Sequence, residues 1–284
     1  MPVLRIVKRS DTYKRPRTNY TGMYTTVVVG SDADAAAERL VSTLDGRVGV
    51  VREAADPADG STAVGATTYT LGDGWRADGG DLSVDGALDR LAPDHDYALV
   101  VGVDGVRGPT VVAGDYDDDP ENLLAAAERA ADLDAEQIQD GLQETEPYET
   151  LESLVAAVKR SPDADYAGAI ATFTGRVRAK EDADDERTRF LEFEKYDAVA
   201  DERMDTIATE LEQRDGVFEV LLHHRTGRVP DGEDIVFVVV LAGHRDEAFR
   251  TVEDGINRLK DEVPLFKKEV TEAETFWVHE RDDR

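Results

Sequence analysis

The chain has 284 residues, enough for two domains that each bury a core, and sets 62 acidic against 33 basic residues for a formal net charge of −29. Acid spread along the whole length, with a pI near 4.4, excludes a generic binder of nucleic acid or anionic membrane and fits a globular protein adapted to high salt. A hydrophobic content of 40% excludes a disordered chain, and the lack of cysteine excludes disulfides, thiolate metal sites and cysteine nucleophiles.

Residues 1–22 are basic, unlike all that follows, and are expected to be a disordered extension or to precede a native start at Met23. They lack the apolar core of a signal peptide, and no apolar run in the chain reaches membrane-spanning length, so a cytoplasmic location is expected. Residues 23–114 read as a small α/β domain. A buried-type strand at 25–29 leads to a helix at 34–44 with Ala37, Leu40 and Leu44 on one face. A second strand follows at 48–51, with further apolar strands at 97–103 and 110–112.

The turn after the first strand reads Gly30-Ser31-Asp32-Ala33-Asp34-Ala35-Ala36-Ala37. A phosphate-cradling loop needs GxxxxGK[ST]: close backbone amides, a lysine for the phosphates and a hydroxyl for the metal. Here the second glycine, the lysine and the hydroxyl are missing, and two aspartates repel phosphate. A structural or docking role is expected instead of nucleotide hydrolysis. With its strand order, RVGVVREAAD after the first helix and DYALVVGVDG at the late strand, this half resembles the molybdopterin-guanine dinucleotide biosynthesis adaptor proteins. It departs from that P-loop family at the motif that carries its chemistry.

Residues 115–146 are acidic and alanine-rich, and read as a linker in which Pro120 opens a short helix through Leu123, Leu124, Ala127 and Leu133. The second domain spans 147–284 and begins with a helix capped by Thr150, its apolar face made of Leu151, Leu154, Val155 and Val158. A strand at 168–178, GAIATFTGRVR, puts Ala169, Ala171, Phe173, Gly175 and Val177 on one face. Arg176 and Arg178 then share the other face, roughly 7 Å apart. A loop at 179–188 holds five acids. Strands follow at 190–193, 218–223 and 235–241, with a helix carrying Met204, Ile207 and Leu211 between the first two. Strands and helices without βαβ alternation make this domain α+β.

The last helix starts at Asp246 and Glu247, buries Phe249, Val252, Ile256 and Leu259, and stops before Pro264. His244 and Arg245 stand at its N-terminal end, where the helix dipole favours an anion. Lys260 lies fifteen residues beyond Arg245, roughly 22 Å along the axis, and Lys267 and Lys268 follow. Cations gathered around one apolar helix in so acidic a chain suggest an anion site. Either the helix breaks at Gly255, or His244 and Arg245 of one subunit meet Lys260 of another. The second arrangement is favoured, and implies an obligate dimer. Against a functional role, a lone lysine on an acidic surface is commonly a solvated ion-pair partner, and His224 reads equally well as a satisfied strand-end histidine. His95 and His279 have no metal-ligand spacing, so no metal site is expected.

The segments GAIATFTGRVR, LEFEKYDAVADERM, HHRTGRVPDGEDIVFVVVLAGHRDEAF, INRLKDEVPLFKKE and the closing FWV occur in order across residues 147–280. In these the chain resembles the catalytic (large) subunit of molybdopterin synthase, and its acid excess suggests a haloarchaeal member. Small departures are Leu265-Phe266, where the family more often has Phe or Ile before Trp, and Lys268, where arginine also occurs. The resemblance implies an α/β-hammerhead fold that dimerises, with a small ubiquitin-like subunit at each end. It implies transfer of two sulfurs to cyclic pyranopterin monophosphate, opening the cyclic phosphate. The sulfur comes as a thiocarboxylate on the small subunit's C-terminal glycine, so this chain needs no cysteine, and no cofactor or metal is implied. By position, Arg176, Val177 and Arg178 line the substrate pocket, with Phe173 as an apolar wall. His244 and Arg245 hold the phosphate from the neighbouring subunit, and Lys260 stands beside the thiocarboxylate. Lys267, Lys268 and Glu269 form a second substrate-contacting run. Lys260 is the expected acid or base and Lys267 the stabiliser of anionic oxygens, although the sequence leaves the choice of lysine open. The rival readings are a non-catalytic docking protein that binds pterin or small subunit without turnover, and a nucleotide-dependent adaptor, which the defective P-loop opposes.

Overall fold

A computed structural model describes residues 22–53, 67–80, 82–103, 105–195, 197–271 and 275–278. The basic extension up to residue 21 and His279 lie outside them. The first unit runs β1 (Tyr24–Val29), α1 (Ala33–Thr43), β2 (Val48–Arg52), the hairpin β3 (Thr68–Leu71) and β4 (Trp75–Asp78), α2 (Val84–Leu91), β5 (Tyr97–Val101), β6 (Thr110–Ala113), β7 (Leu123–Ala127) and α3 (Ala135–Gln143). Five strands form one parallel sheet in the order β2-β5-β1-β6-β7. Sheets of this kind are covered on both faces, so their central strands are continuous apolar runs. β5 is accordingly buried throughout. Leu40, Ile138 and Leu142 cover one face, and Met23, Leu88 and Ala92 pack at the other.

The stretch expected to be a linker differs from that expectation. It supplies β7 as an edge strand and α3, whose Ile138 and Leu142 are buried in the first unit's core. No helix opens at Pro120: the LLAAA run extends along the open edge of β6, and the helix begins only after Asp134. There the aspartate side chain accepts hydrogen bonds from the amides of Glu136 and Gln137, 3.1 Å each. A five-residue apolar run fits either element, and tertiary pairing decides.

The second unit runs α4 (Leu151–Lys159), β8 (Ala169–Arg176), β9 (Thr188–Lys195), α5 (Asp197–Leu211), β10 (Val217–His224), β11 (Gly227–Pro230), β12 (Asp234–Ala242), α6 (Arg245–Glu262), β13 (Leu265–Thr271) and β14 (Thr275–Val278). Its strands make two antiparallel sheets, β10-β12-β8 and β11-β9-β13-β14. One face of the three-stranded sheet carries α5 and α6, which bury Ile207, Leu211, Val252 and Leu259 against Val220, Val238 and Val240. The other face carries α4, whose Leu154 and Val158 meet Phe237, Val239 and Leu241. Thr150 caps α4 in a reciprocal box with Ser153. The unit therefore has mixed helices and strands without parallel βαβ repeats.

α6 is continuous over 18 residues, so the helix does not break at Gly255. That glycine is buried mid-helix, where a Cβ would come 3.0 Å from Val238 Cγ1. It lets the helix sit close on the sheet. The buried stripe is Ala248, Thr251, Val252, Gly255, Ile256 and Leu259. Phe249 was expected in it, yet is 65% exposed. At 100° per residue it falls about a quarter-turn off the centre of that stripe.

The two units meet along a seam that joins hydrogen bonds to the apolar packing of Tyr148. The amide of Tyr148 donates to Met23 O at 2.7 Å, and Arg160 Nη1 donates to Pro93 O at 2.9 Å. Among the described residues no helix is long and apolar enough to cross a membrane.

Candidate active site

Because β12 leads directly into α6, the helix runs back antiparallel to the strand it follows. This geometry divides the expected site residues between two ends of the sheet. Arg245 opens α6 beside the Ala242 end of β12, which pairs with Ala169 of β8. Lys260 lies in the last turn of α6, back toward Asp234, which is paired with Arg176. With α6 unbroken, Arg245 and Lys260 are roughly 22 Å apart along its axis. One chain thus brings Arg176, Arg178, Lys260 and the β13 lysines toward one end. It leaves His244 and Arg245 at the other.

β8 ends at Arg176, sooner than the 168–178 strand expected from sequence. Arg176 Nε lies 3.2 Å from Asp234 Oδ1, and its Nη2 donates to Gly232 O. Gly232, at φ +86°, makes the turn into β12 that presents these acceptors. Arg178 instead pairs with Glu181 of the acidic loop at 3.3 Å. The two guanidinium groups are therefore held by different carboxylates. Val177 lies between them, buried with Leu191, Phe193 and Val229. The expectation that Val177 lines the pocket is corrected to this extent: its side chain sits inside an apolar cluster and supports the arginines from beneath. Phe173 is half-buried against the α6 side of the sheet.

His244 is the N-cap residue of α6, and its side chain makes no capping bond. Arg245 is exposed and pairs with Asp246 at 3.4 Å. On β13, Lys267 stands opposite Phe193 and Lys268 opposite Glu192. Lys268 Nζ bonds Glu192 Oε2 at 2.9 Å, and Glu269 accepts from Thr188 Oγ1. Lys260 and Lys267, in contrast, have no ion-pair partner among the described residues. Arg258 braces the last turn of α6, donating to Glu262 at 2.6 Å and to Glu210 of α5 at 2.6 Å. Its guanidinium holds the Glu262 carboxyl below the usual carboxylate range.

His224 is buried, its Nδ1 donating to Arg225 O at 2.7 Å and its ring edge-on to Phe193 at 4.8 Å. That is the satisfied strand-end histidine allowed for in the sequence. Sequence reasoning missed Arg225 and Asp234. Arg225 Nη1 donates to Asp234 O at 3.0 Å, so it braces the residue that holds Arg176. Both stand inside the segment HHRTGRVPDGED, but only the hairpin brings them together. Among the described residues no cluster of three or more His, Asp or Glu side chains is arranged to hold a metal.

The P-loop-like turn of the first unit is closed by the chain itself. The amide of Ser31 donates to Asp115 O at 3.0 Å and that of Asp32 to Ala113 O at 3.0 Å. Asp32 Oδ2 accepts from the amide of Ala130 at 2.7 Å. The Ser31 and Asp32 amides are thus already taken by backbone carbonyls of the chain.

Residues 143–262 match the MoaE protein family. A probable molybdopterin synthase of Haloferax volcanii is 52% identical over 263 residues, covering 91% of this chain and all of the relative. That alignment is too long to omit the first unit. The molybdopterin synthase catalytic subunit of Cereibacter sphaeroides is 39% identical over 112 residues, 39% of this chain and 74% of the relative. Among solved structures, molybdopterin synthase from Staphylococcus aureus is 32% identical, covers 40% of this chain and 82% of its own, and has a TM-score of 0.38.

Proposed function

This chain belongs to the molybdopterin synthase family, enzymes of molybdenum cofactor biosynthesis, and we propose that Lys260 and Lys267 carry its reaction. It is the catalytic subunit, which converts cyclic pyranopterin monophosphate to molybdopterin. Two carbon–sulfur bonds form as two thiocarboxylates lose their acyl–sulfur bonds to water and leave as carboxylates, and the cyclic phosphate opens. The sulfur donor is a separate small ubiquitin-like subunit bearing a C-terminal thiocarboxylate. No residue of this chain needs to hold sulfur, in keeping with the lack of cysteine.

The observation that carries the assignment is a contrast within the site. Arg176, Arg178, Arg245 and Lys268 each pair with a carboxylate of the chain, whereas Lys260 and Lys267 pair with none among the described residues. An amine not committed to a carboxylate is available to substrate. Lys260, exposed at the end of α6, is the group that moves a proton once the donor's tail excludes water around it. Lys267 stabilises anionic oxygens as they develop. Arg176 and Arg178 hold the pterin and its phosphate by exchanging their exposed carboxylate partners, which are weak competitors. His244 and Arg245 complete the site of a second copy of the chain, because the unbroken α6 keeps them from reaching Lys260 in their own. The active form is then a dimer in the α/β-hammerhead arrangement, with a small subunit at each end and a cytoplasmic location. The first unit is adaptor-like but does not bind nucleotide.

A single-turnover assay at high salt tests this reading. It mixes the full chain, cyclic pyranopterin monophosphate and thiocarboxylated small subunit, and detects molybdopterin as its fluorescent oxidation product. Product is expected, and is expected to be lost in Lys260→Ala. Tight binding of both partners without product would favour a docking protein instead. Near-normal turnover in Lys260→Ala would remove that lysine from the mechanism.

A further inference from the structure

We propose that the first unit positions the substrate-binding arginine Arg176 through a relay of Tyr148, Arg225 and Asp234. The inference rests on the reading of Arg176 as a substrate group. It gives the five-stranded sheet, which carries no usable nucleotide loop, a task in the reaction.

The relay starts at the seam. Tyr148 packs against Met23, Leu88 and Ala92 of the first unit. Its amide donates to Met23 O at 2.7 Å and its hydroxyl to Asp89 Oδ1 at 2.8 Å. Burial and the Asp89 carboxylate both push the phenol's pKa up, so the hydroxyl stays a donor at working pH. Two residues earlier, Glu146 accepts a hydrogen bond from Thr226 Oγ1. Residues 146–148 are therefore tied on one side to the first unit and on the other to the turn after β10.

Arg225, next to Thr226, takes up the connection. The tie comes through the Glu146–Thr226 bond one residue away, and the Arg225 amide donates to Ile235 O at 2.8 Å. Its Nη1 donates to Asp234 O at 3.0 Å and lies 3.4 Å from Glu233 Oε2. The turn it holds, 232–234, supplies both acceptors of Arg176: Asp234 Oδ1 and Gly232 O. Each link is a partly exposed polar contact, weak by itself. Together they fix a planar fork by two acceptors whose backbone is held in turn. An arginine oriented before substrate arrives loses less freedom on binding. Asp89, Tyr148 and Arg225 touch no reacting group and act as positioning residues.

The test uses the full-length chain with the thiocarboxylated small subunit, titrating cyclic pyranopterin monophosphate. Tyr148→Phe keeps the ring in its apolar seat and removes the hydroxyl. It is expected to raise KM roughly fivefold or more, the scale of a coupling between linked sites, with kcat little changed. Asp89→Asn keeps an acceptor oxygen and should stay near wild type. Arg160→Ala cuts a separate seam bond, to Pro93 O, and should leave KM alone. Hydrogen exchange of residues 232–236 should quicken in Tyr148→Phe. Equal rises in KM for Tyr148→Phe and Arg160→Ala would mean general loosening and overturn the relay. So would unchanged KM and unchanged exchange in Tyr148→Phe, provided Arg176→Ala raises KM in the same assay. If Arg176→Ala leaves KM unchanged, the reading of Arg176 falls, and faster exchange in Tyr148→Phe would then show a link between the units that does not serve substrate binding.

Discussion

Lys267 and Lys268 are consecutive on β13, yet they leave opposite faces of the four-stranded sheet. Alternation along a strand requires it, and the cross-strand partners differ accordingly. Lys267 stands opposite the buried Phe193, while Lys268 reaches Glu192 at 2.9 Å. Lys267→Ala should therefore lower the single-turnover rate by about a hundredfold, the usual scale for loss of an oxyanion-stabilising group. Lys268→Ala removes a partly exposed pair worth about 1 kcal/mol and should leave the rate within a few-fold of wild type. Equal losses in rapid-quench assays of the two variants would show that the sheet does not separate their roles.

The unbroken α6 makes a sharper prediction about subunits. If His244 and Arg245 serve the site whose Lys260 belongs to the other copy, Lys260→Ala and Arg245→Ala chains are each inactive alone. Mixed after reversible dissociation, they should regain about a quarter of wild-type activity, since random pairing in a two-fold dimer gives half mixed dimers with one intact site each. No recovery, with mixed dimers shown by native mass spectrometry, would place both groups in a single-chain site.

Arg258 and Glu262 tie stability to pH. Glu262 is held below its ordinary range chiefly by the hydrogen bond from Arg258. Its contribution is therefore full above the unfolded carboxylate pKa of about 4.3 and is lost as pH falls through the lower folded value. Arg258→Ala should cost about 1 kcal/mol or less near pH 7, with the gap to wild type closing below about pH 4. Urea denaturation of both proteins at the two pH values reads this directly.

The Gly30 turn gives a stability and a binding prediction together. Gly30 has φ +104°, and a Cβ there would lie 2.2 Å from Ala113 O. Gly30→Ala should destabilise the first unit by about 2 kcal/mol or more, combining strain with overpacking. Because the Ser31 and Asp32 amides are already bonded to 113–115, calorimetric titration of wild type with ATP or GTP should give no binding heat. Binding that Asp32→Ala abolished would reverse the reading of this turn.

Much of the architecture was legible because it rests on periodicity. The buried run of β1, the capped α4 and the Val252/Ile256/Leu259 stripe each follow from local pattern. The failures arose where tertiary pairing chose between equal local options. The LLAAA run became a strand because β6 had an open edge, and Phe249 turned outward because Ala248 and Gly255 set the stripe's axis. The site divides in the same way. Lys260, Lys267 and the arginines are visible as cations in an acidic chain, whereas Asp234 and Arg225 look like ordinary charges until the hairpin brings them beside Arg176. Val177 shows the converse, a position inside a site motif whose side chain belongs to the core.

The pairing of Met23 with Tyr148 also bears on how the chain acquires its structure during synthesis. The first strand of the described residues sits at the centre of a parallel sheet, and the fully buried residue just before it bridges to a partner 125 positions later. Parallel pairings and long loop closures are slow to form. Emerging from the ribosome, β1 must wait for β5 and β6 before it has neighbours on both sides, and Met23 must wait longer still. Molecules cut short before Tyr148 would leave that apolar end uncovered, a target for chaperones and proteases. The seam between the units thus marks the point in translation at which the first unit can close.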